Sequence, residues 1–174
     1  MMRKFNLQFA VLLFLISFIA SVPLVQAQTK KQIQQARKFA EEGDRFFKQK
    51  NYKLAADRYD KASALVPNYP AVSFYKGYAH YNLEEFDLAL DAFTKALNQG
   101  YTPIEIYKVR WFIYLKNKDY DNALADIQEV IKVQPNNGNL LITLGDIYSG
   151  KKMDKEAIEN YQKAAVMFPN NADL

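Results

Sequence analysis

The sequence contains no cysteine and one histidine, His80. Without cysteine the chain can form no disulfide, thiolate metal site, cysteine nucleophile or lipid-modified N-terminal cysteine. One histidine excludes histidine-rich metal sites and cysteine–histidine catalysis. The sequence also lacks a G-x-G-x-x-G stretch and a Walker-type phosphate loop. We therefore expect a protein that is not an enzyme and that uses no metal or cofactor.

Glycine and proline are scarce, with six of each among 174 residues, and this composition favours helices. The carboxylates of Glu84, Glu85, Asp119 and Asp121 lie near expected turns, where we interpret them as solvated charges rather than catalytic groups.

One long apolar run, Phe9 to Ala20, follows Arg3 and Lys4 and precedes a "VQA" triplet that ends at Ala27. This order predicts a secretory signal peptide over 1–27 with cleavage after Ala27. The alternative is an uncleaved membrane anchor, since spanning a bilayer takes about 20 predominantly apolar residues. Either way, we expect the remainder to be exported, as a periplasmic, secreted or membrane-tethered protein.

Basic residues concentrate near the start of the remaining chain. Residues 28–53 hold eight Lys/Arg against three acids, whereas the chain without 1–27 carries 21 basic and 19 acidic residues. The basic lead-in, 28–35, and the residues after it could bind an acidic partner or anionic lipid headgroups. The alternative is that these charges form a solvated helix face without a partner. Near-neutral net charge and export argue against a nucleic-acid partner.

The rest of the sequence repeats itself without a gap, in four units of equal length, 36–69, 70–103, 104–137 and 138–171, followed by a tail at 172–174. We number the positions in each unit 1–34. The recurring residues are Gly43, Gly77, Trp111 and Gly145 at position 8; Ala55, Ala89, Ala123 and Ala157 at 20; Tyr59, Phe93, Ile127 and Tyr161 at 24; Ala62, Ala96, Val130 and Ala164 at 27; and Pro67, Tyr101, Pro135 and Pro169 at 32.

This pattern resembles the tetratricopeptide repeat, in which each unit is a helical hairpin. The resemblance implies an all-α fold: a right-handed superhelical solenoid of four helix-turn-helix units, or about eight helices. The 3.6-residue periodicity indicates the same hairpins independently. A single hairpin cannot cover its own apolar face, so the units are expected to stack.

Glycine inside a helix costs about 1 kcal/mol relative to alanine. We therefore expect position 8 to mark a close approach of the two helices of a unit, with the small position 20 facing it and position 24 filling the space between units. Proline at position 32 ends the second helix. Unit two lacks it, and there we expect Gly100 in a left-handed conformation, with Thr102, Pro103 and Glu105 forming the start of the next helix as a capping box.

Three departures from the repeat pattern stand out. Trp111 and Arg110 replace the expected glycine and leucine, and they suggest either an aromatic recognition patch with Tyr107, Phe112 and Tyr114 or a bulky local core. His80 is interpreted as a packing residue. Met153 and Asp154 suggest a looser last hairpin.

No extra helix follows unit four, so Ile158, Tyr161 and Ala165 are expected to be covered by self-association, by a partner or by further chain.

The resemblance also implies a concave groove lined by the first helix of each unit. Its positions 2, 5, 9, 12 and 13 are rich in aromatic and basic side chains here. We predict a peptide-binding set of Phe47, Lys48, Phe74, Tyr78, Tyr81, Asn82, Lys108, Phe112, Leu115 and Lys116, with the alternative that some of the aromatic residues pack between helices.

Some members of the family clamp a C-terminal carboxylate, and the matching positions here, Ala40, Asp44, Tyr75, Glu105 and Val109, lack that clamp. The sequence thus predicts a protein-interaction scaffold for apolar peptides of basic or mixed charge. The alternatives are a membrane-tethered structural or envelope-assembly factor and the first module of a larger protein.

Overall fold

The computed structural model describes residues 29–167, and within that range it contains eight α-helices and no strand. The helices are α1 (29–48), α2 (Tyr52–Leu65), α3 (Pro70–Asn82), α4 (Phe86–Asn98), α5 (Ile104–Lys116), α6 (Tyr120–Val133), α7 (Gly138–Gly150) and α8 (Asp154–Met167). The predicted all-α solenoid of helical hairpins is confirmed.

The helices repeat with the period of the sequence. The first helices of units two to four begin at Pro70, Ile104 and Gly138, and each of these residues is position 1 of its unit. The closest backbone packing joins the two helices of one unit, and each unit then packs on the next through its second helix. The basic lead-in forms no separate segment, because α1 is already helical at residue 29.

Small side chains at positions 20 and 27 lie in the core. Ala55, Ala89 and Ala123 are 0% exposed and Ala157 is 3% exposed. The residues at position 27 are also fully buried; they are Ala62, Ala96, Val130 and Ala164. The recurring alanines therefore mark the packed interior, as predicted.

The position 8 glycines do mark a close approach, but the partner predicted for them is wrong. A Cβ atom on Gly43 would lie 2.6 Å from the Tyr59 ring, and on Gly77 it would lie 2.6 Å from the Phe93 ring. On Gly145 it would lie 2.4 Å from the Tyr161 ring. The glycine thus accommodates the aromatic ring at position 24 of its own unit rather than the alanine at position 20.

Unit three reverses these sizes. Trp111 is half-buried and packs against a core cluster that contains Ala123, Ile127, Leu144 and Ile147. Ile127, at position 24, is 0% exposed. The large side chain therefore lies at position 8 and the smaller one at position 24. Of the two readings of Trp111, the structure supports the bulky local core.

The turn between the two helices of every unit contains a residue in the left-handed conformation. Lys50, Glu84, Lys118 and Lys152, all at position 15, have φ between 57° and 60°. L-residues with a Cβ atom pay roughly 1–2 kcal/mol for this conformation. The tight turn is thus built without glycine, and the sequence patterns did not indicate it.

The boundary between units two and three differs in part from its prediction. Gly100 has φ +83°, as expected. The capping box is wrong: α5 begins at Ile104, its N-cap is Pro103, and no side chain caps the helix. Pro103 is extended, with φ −68° and ψ 141°, and its carbonyl oxygen accepts a hydrogen bond from the Ile106 N–H at 3.0 Å. The proline therefore precedes the helix, and Thr102 lies too early to cap it.

The last described helix carries exposed apolar side chains. Ile158 is 53% exposed and Val166 is 82% exposed. Leu90 and Leu124, which occupy the position of Ile158 in units two and three, are half-buried against their neighbours. The predicted signal segment 1–27, Pro169 and the tail lie outside the described residues. Between residues 29 and 167, no helix is both long and apolar enough to cross a membrane.

Candidate peptide-binding surface

Helix α3 carries the centre of the predicted groove. Phe74, Tyr78 and Tyr81 recur at helical spacing along it. Tyr78 and Tyr81 are half-buried, so each offers part of a ring to solvent. The Tyr78 ring meets the Phe93 ring edge to face at 5.2 Å between centroids, an arrangement that fixes its orientation. Two of the three predicted rings of α3 are therefore held in place and accessible.

The third ring is mainly structural. Phe74 is 9% exposed and packs against Tyr75, Tyr78, Phe93 and Tyr101, with centroid distances of 5.0–6.3 Å. Phe74 therefore fits the alternative in which some of the aromatic residues pack between helices. Its contribution to a binding surface is to support the rings beside it.

A ring outside the predicted set extends the surface toward α1. Tyr75 is 39% exposed, lies 6.1 Å from the half-buried Phe47 ring and stacks on Tyr59 at 6.3 Å. It therefore joins units one and two. Helical spacing did not place Tyr75 on the surface, because Tyr75 lies at position 6 and not at a groove position. Its exposure became known only from the structure.

Helix α5 extends the surface on the other side. Phe112 is 49% exposed, and its ring lies edge to face with Tyr81 at 6.3 Å. We call Phe47, Tyr75, Tyr78, Tyr81 and Phe112 the aromatic surface. It crosses α1, α3 and α5 and thus three successive units. Large rigid rings are side chains that commonly anchor a bound peptide.

Polar groups of the predicted set surround these rings. Lys48, Asn82 and Lys116 are exposed, whereas Lys108 and Leu115 are half-buried. The Lys116 Nζ atom lies 4.2 Å from the Phe86 ring centroid, a cation–π contact. The Asn82 side chain donates to the Tyr78 carbonyl oxygen at 2.8 Å. The rim of the surface is therefore cationic in part but not uniformly so.

Burial raises the pKa of Tyr78 to about 12, and the nearby Glu105 carboxylate and Tyr81 contribute to the increase. The Tyr78 hydroxyl is consequently protonated and able to donate a hydrogen bond over the physiological pH range. Glu105 adds a negative charge beside the rings. The surface thus combines apolar rings with charges of both signs.

Two carboxylates at groove position 9 are engaged within the fold. The Tyr59 hydroxyl donates to the Asp44 Oδ1 at 2.8 Å, and the Tyr161 hydroxyl donates to the Asp146 Oδ1 at 2.8 Å. Burial and the adjacent carboxylate raise the pKa of Tyr161 to about 12. In units two and three, position 24 has no hydroxyl and position 9 is aromatic, so Tyr78 and Phe112 of the aromatic surface stand where units one and four have this hydrogen-bonded carboxylate.

His80 packs in the core, as predicted. It is 7% exposed, and its Nδ1 lies 2.6 Å from the Glu85 Oε2. Glu85 lies at the N-cap of α4 but makes no capping hydrogen bond there. The histidine therefore ties α3 to the start of α4.

Arg110 belongs to a buried ion pair. Its Nε and Nη2 donate to the two carboxylate oxygens of Asp126 at 3.0 and 3.1 Å. Burial raises the pKa of Asp126 to about 6, although Arg110 acts in the opposite direction. In unit one the charges are exchanged, because Glu42 and Arg58 occupy these positions with 3.0 Å between Oε2 and Nε. Opposite charges at positions 7 and 23 of one unit were the sequence signal for both pairs.

Comparison with known proteins decides the family. The profile of the tetratricopeptide repeat matches residues 41–102 and 113–172, more than half of the chain. The chain belongs to the tetratricopeptide repeat family. Proteins of this family act as protein-interaction scaffolds, and this chain is assigned to that general class.

A curated relative is the heat shock protein STI1 of Saccharomyces cerevisiae, 31% identical over 97 residues, which are 55% of this chain and 16% of STI1. The chain thus spans about a sixth of that relative. Among solved structures, YrrB, a tetratricopeptide protein with an unusual peptide-binding site, aligns with a TM-score of 0.67 and 20% identity, over 78% of this chain and 70% of YrrB.

The first tetratricopeptide domain of Spaghetti (RPAP3), bound to the HSP90 peptide SRMEEVD, aligns with a TM-score of 0.54 and 22% identity, over 79% of this chain and 96% of that chain. At this level of identity, both structures establish the fold alone.

Proposed function

We propose that this tetratricopeptide protein is a non-enzymatic scaffold that binds a segment of a partner protein over the aromatic surface. The observation that carries the proposal is the pair formed by Phe112 and Tyr81, in which a half-exposed ring on one unit meets a ring of the preceding unit. A ring fixed in this way loses little side-chain entropy when a ligand covers it.

The bound segment is an extended or helical peptide with apolar side chains and mixed charge. Apolar side chains suit the five rings, and a mixed charge suits the lysines at the rim together with Glu105. At the positions where some family members clamp a carboxylate, this chain has Ala40, Asp44, Tyr75, Glu105 and Val109. Two carboxylates there repel an acidic C-terminal tail.

The binding test compares Phe112→Ala with Leu88→Ala. Leu88 is 51% exposed on α4, outside the aromatic surface, so its truncation is a matched control. The probes are peptides selected on the protein from a random dodecapeptide library. Because a buried aromatic anchor contributes at least about 1–2 kcal/mol, we expect about tenfold weaker binding for Phe112→Ala and unchanged binding for Leu88→Ala. Equal affinity of the two variants contradicts this assignment.

A second probe tests the ligand class. The peptide SRMEEVD is expected not to bind at concentrations that saturate the selected peptides. Tight binding of SRMEEVD, with dependence on its C-terminal carboxylate, contradicts the exclusion of acidic tails and moves the ligand site toward the clamp positions.

We further propose that the chain acts in the cell envelope after export through residues 1–27. The order of basic, apolar and small residues in that segment supports export. Mass spectrometry of the protein recovered from cells is expected to give Gln28 as the first residue. A first residue of Met1 or Met2 contradicts cleavage and supports the alternative of a membrane-tethered structural or assembly factor.

A further inference from the structure

The outer face of α1 carries a continuous basic stripe. Successive residues of a helix turn by about 100°, so six cationic side chains fall within one sector of about 120°, opposite the buried Ala36 and Gly43. All six are exposed; they are Lys30, Lys31, Arg37, Lys38, Arg45 and Lys48. Their helical spacing gives a stripe about 27 Å long.

Two of the three acidic residues of α1 are directed toward α2 and not into this stripe. The Asp44 carboxylate accepts from the Tyr59 hydroxyl at 2.8 Å. The Glu42 carboxylate lies 3.0 Å from Arg58 on α2. Glu41 alone remains among the six cations.

The same six cations form no salt bridge in the described part of the chain. Cations of the later helices, by contrast, include several with an internal partner, as Lys61 has in Asp57, Lys76 in Asp60 and Lys132 in Glu129. Six cations without a salt bridge therefore share one face of one helix.

The start of α1 extends beyond the repeat. The side chains at 30–35 are all exposed and, except for Ile33, polar, and the first buried residue of the helix is Ala36. A helical segment with so polar a surface gains little stability from packing, and such segments often bridge to another surface. The stripe thus projects past the first hairpin, where a large flat surface can reach it.

We propose that the stripe binds an anionic lipid surface. A long, straight row of unpaired cations without apolar side chains among them matches a planar layer of negative headgroups better than it matches a pocket-sized ligand. In the sequence, the stripe begins at Lys30, shortly after the predicted signal segment 1–27, so export or retention of that segment would bring the stripe close to a membrane. An acidic protein is the competing ligand.

The test measures partition of the full protein, as isolated from cells, between buffer and vesicles. One set of vesicles contains phosphatidylcholine alone, and the other contains phosphatidylcholine and phosphatidylglycerol in a two-to-one ratio. The ratio of the two partition coefficients measures the electrostatic contribution to membrane binding, because any apolar contribution of residues 9–20 is the same for both kinds of vesicle. Each Lys or Arg near an anionic surface contributes about fivefold.

Replacing Lys31, Lys38 and Arg45 together by glutamine is therefore expected to lower the ratio at least tenfold. These three avoid the predicted peptide-binding residues, and glutamine retains helix propensity. The matched control replaces Lys95, Lys155 and Lys163, exposed cations of α4 and α8, by glutamine and changes the net charge equally. It is expected to leave the ratio within about twofold, and the wild-type ratio should fall toward one at about 1 M salt, where the Debye length is about 3 Å.

Three outcomes overturn the proposal. The first is a wild-type ratio near one, and the second is a control variant that loses as much as the stripe variant. The third is stripe-dependent binding of polyglutamate together with no preference for anionic vesicles, which assigns the stripe to an acidic protein. All three are independent of peptide binding at the aromatic surface, so the two proposals can fail separately.

Discussion

Units one and three form the same hairpin with exchanged side chains. At positions 8 and 24, unit one has Gly43 against Tyr59, whereas unit three has Trp111 and Ile127. At positions 7 and 23, unit one has Glu42 beside Arg58, whereas unit three has Arg110 beside Asp126.

The comparison teaches that the larger of the two packed side chains can lie at position 8 or at position 24, and that the cation of an ion pair can lie at position 7 or at position 23. The ion pairs nevertheless differ in burial: the side chains of Arg110 and Asp126 are 14% and 4% exposed, whereas those of Arg58 and Glu42 are 25% and 26% exposed. The pair in unit three should therefore be the more sensitive of the two to removal of one partner.

The largest expected effect breaks that buried pair. Asp126→Ala leaves the Arg110 guanidinium without its carboxylate in the interior, and we expect a loss of about 3 kcal/mol in the free energy of unfolding. Glu42→Ala, the matched change in unit one, should cost no more than about 1 kcal/mol because its pair is partly solvated. Urea denaturation of both variants measures the difference, and equal losses would contradict the role of burial.

The next effect tests the glycine side of the comparison. A Cβ atom on Gly43 would lie 2.6 Å from the Tyr59 ring, so Gly43→Ala is expected to destabilise the protein by about 1–3 kcal/mol despite the better helix propensity of alanine. The same substitution in a Tyr59→Ile background should cost less, because the smaller side chain removes the overlap. Thermal unfolding of the four variants measures the loss of stability caused by Gly43→Ala in each background. An identical loss in both backgrounds would mean that the Tyr59 ring is not the reason for the glycine.

A pH effect should distinguish the same two units. Because burial raises the pKa of Asp126 to about 6, above its ordinary value near 3.9, the folded state binds a proton that the unfolded state has released between these pH values. The unfolding free energy should therefore fall as the pH rises from about 4 to about 6, by on the order of 2 kcal/mol for this group. Asp126→Asn should remove that part of the pH dependence, and an unchanged pH profile would contradict the assignment.

The smallest effect should be the same in both units. Lys50 and Lys118 have φ values of 58° and 57°, so Lys50→Gly and Lys118→Gly each relieve a left-handed conformation that glycine adopts without strain. We expect a gain of up to about 1 kcal/mol from each. Differential scanning calorimetry measures both, and a loss in either variant would show that the lysine side chain stabilises its turn.

The sequence predicted the hairpins because their period depends on small buried residues, and Ala55 and Ala89 are recognisable from spacing alone. It did not predict which side chain faces Gly43, since the relative rotation of two helices is set by packing. Thr102 was misassigned as a cap because the start of a helix depends on backbone angles that one turn residue can shift.

The candidate site was predicted less completely than the fold. Phe112 was identified from its groove position, and its exposure agrees with the predicted surface. Tyr75 was missed and Phe74 is buried, because exposure of neighbouring residues on one helix depends on how the adjacent unit packs. The basic stripe of α1 was visible only as a local excess of charge until the helix placed its six cations on one face.

A double-mutant cycle at positions 8 and 24 of unit three tests the exchange most directly. Trp111→Gly combined with Ile127→Phe recreates the Gly77 and Phe93 arrangement of unit two. Each single change should destabilise the protein, one by leaving a cavity and the other by overpacking. The double variant should be at least about 1 kcal/mol more stable than the sum of the two losses predicts. Additive losses would contradict the claim that the side chains at these two positions compensate for each other.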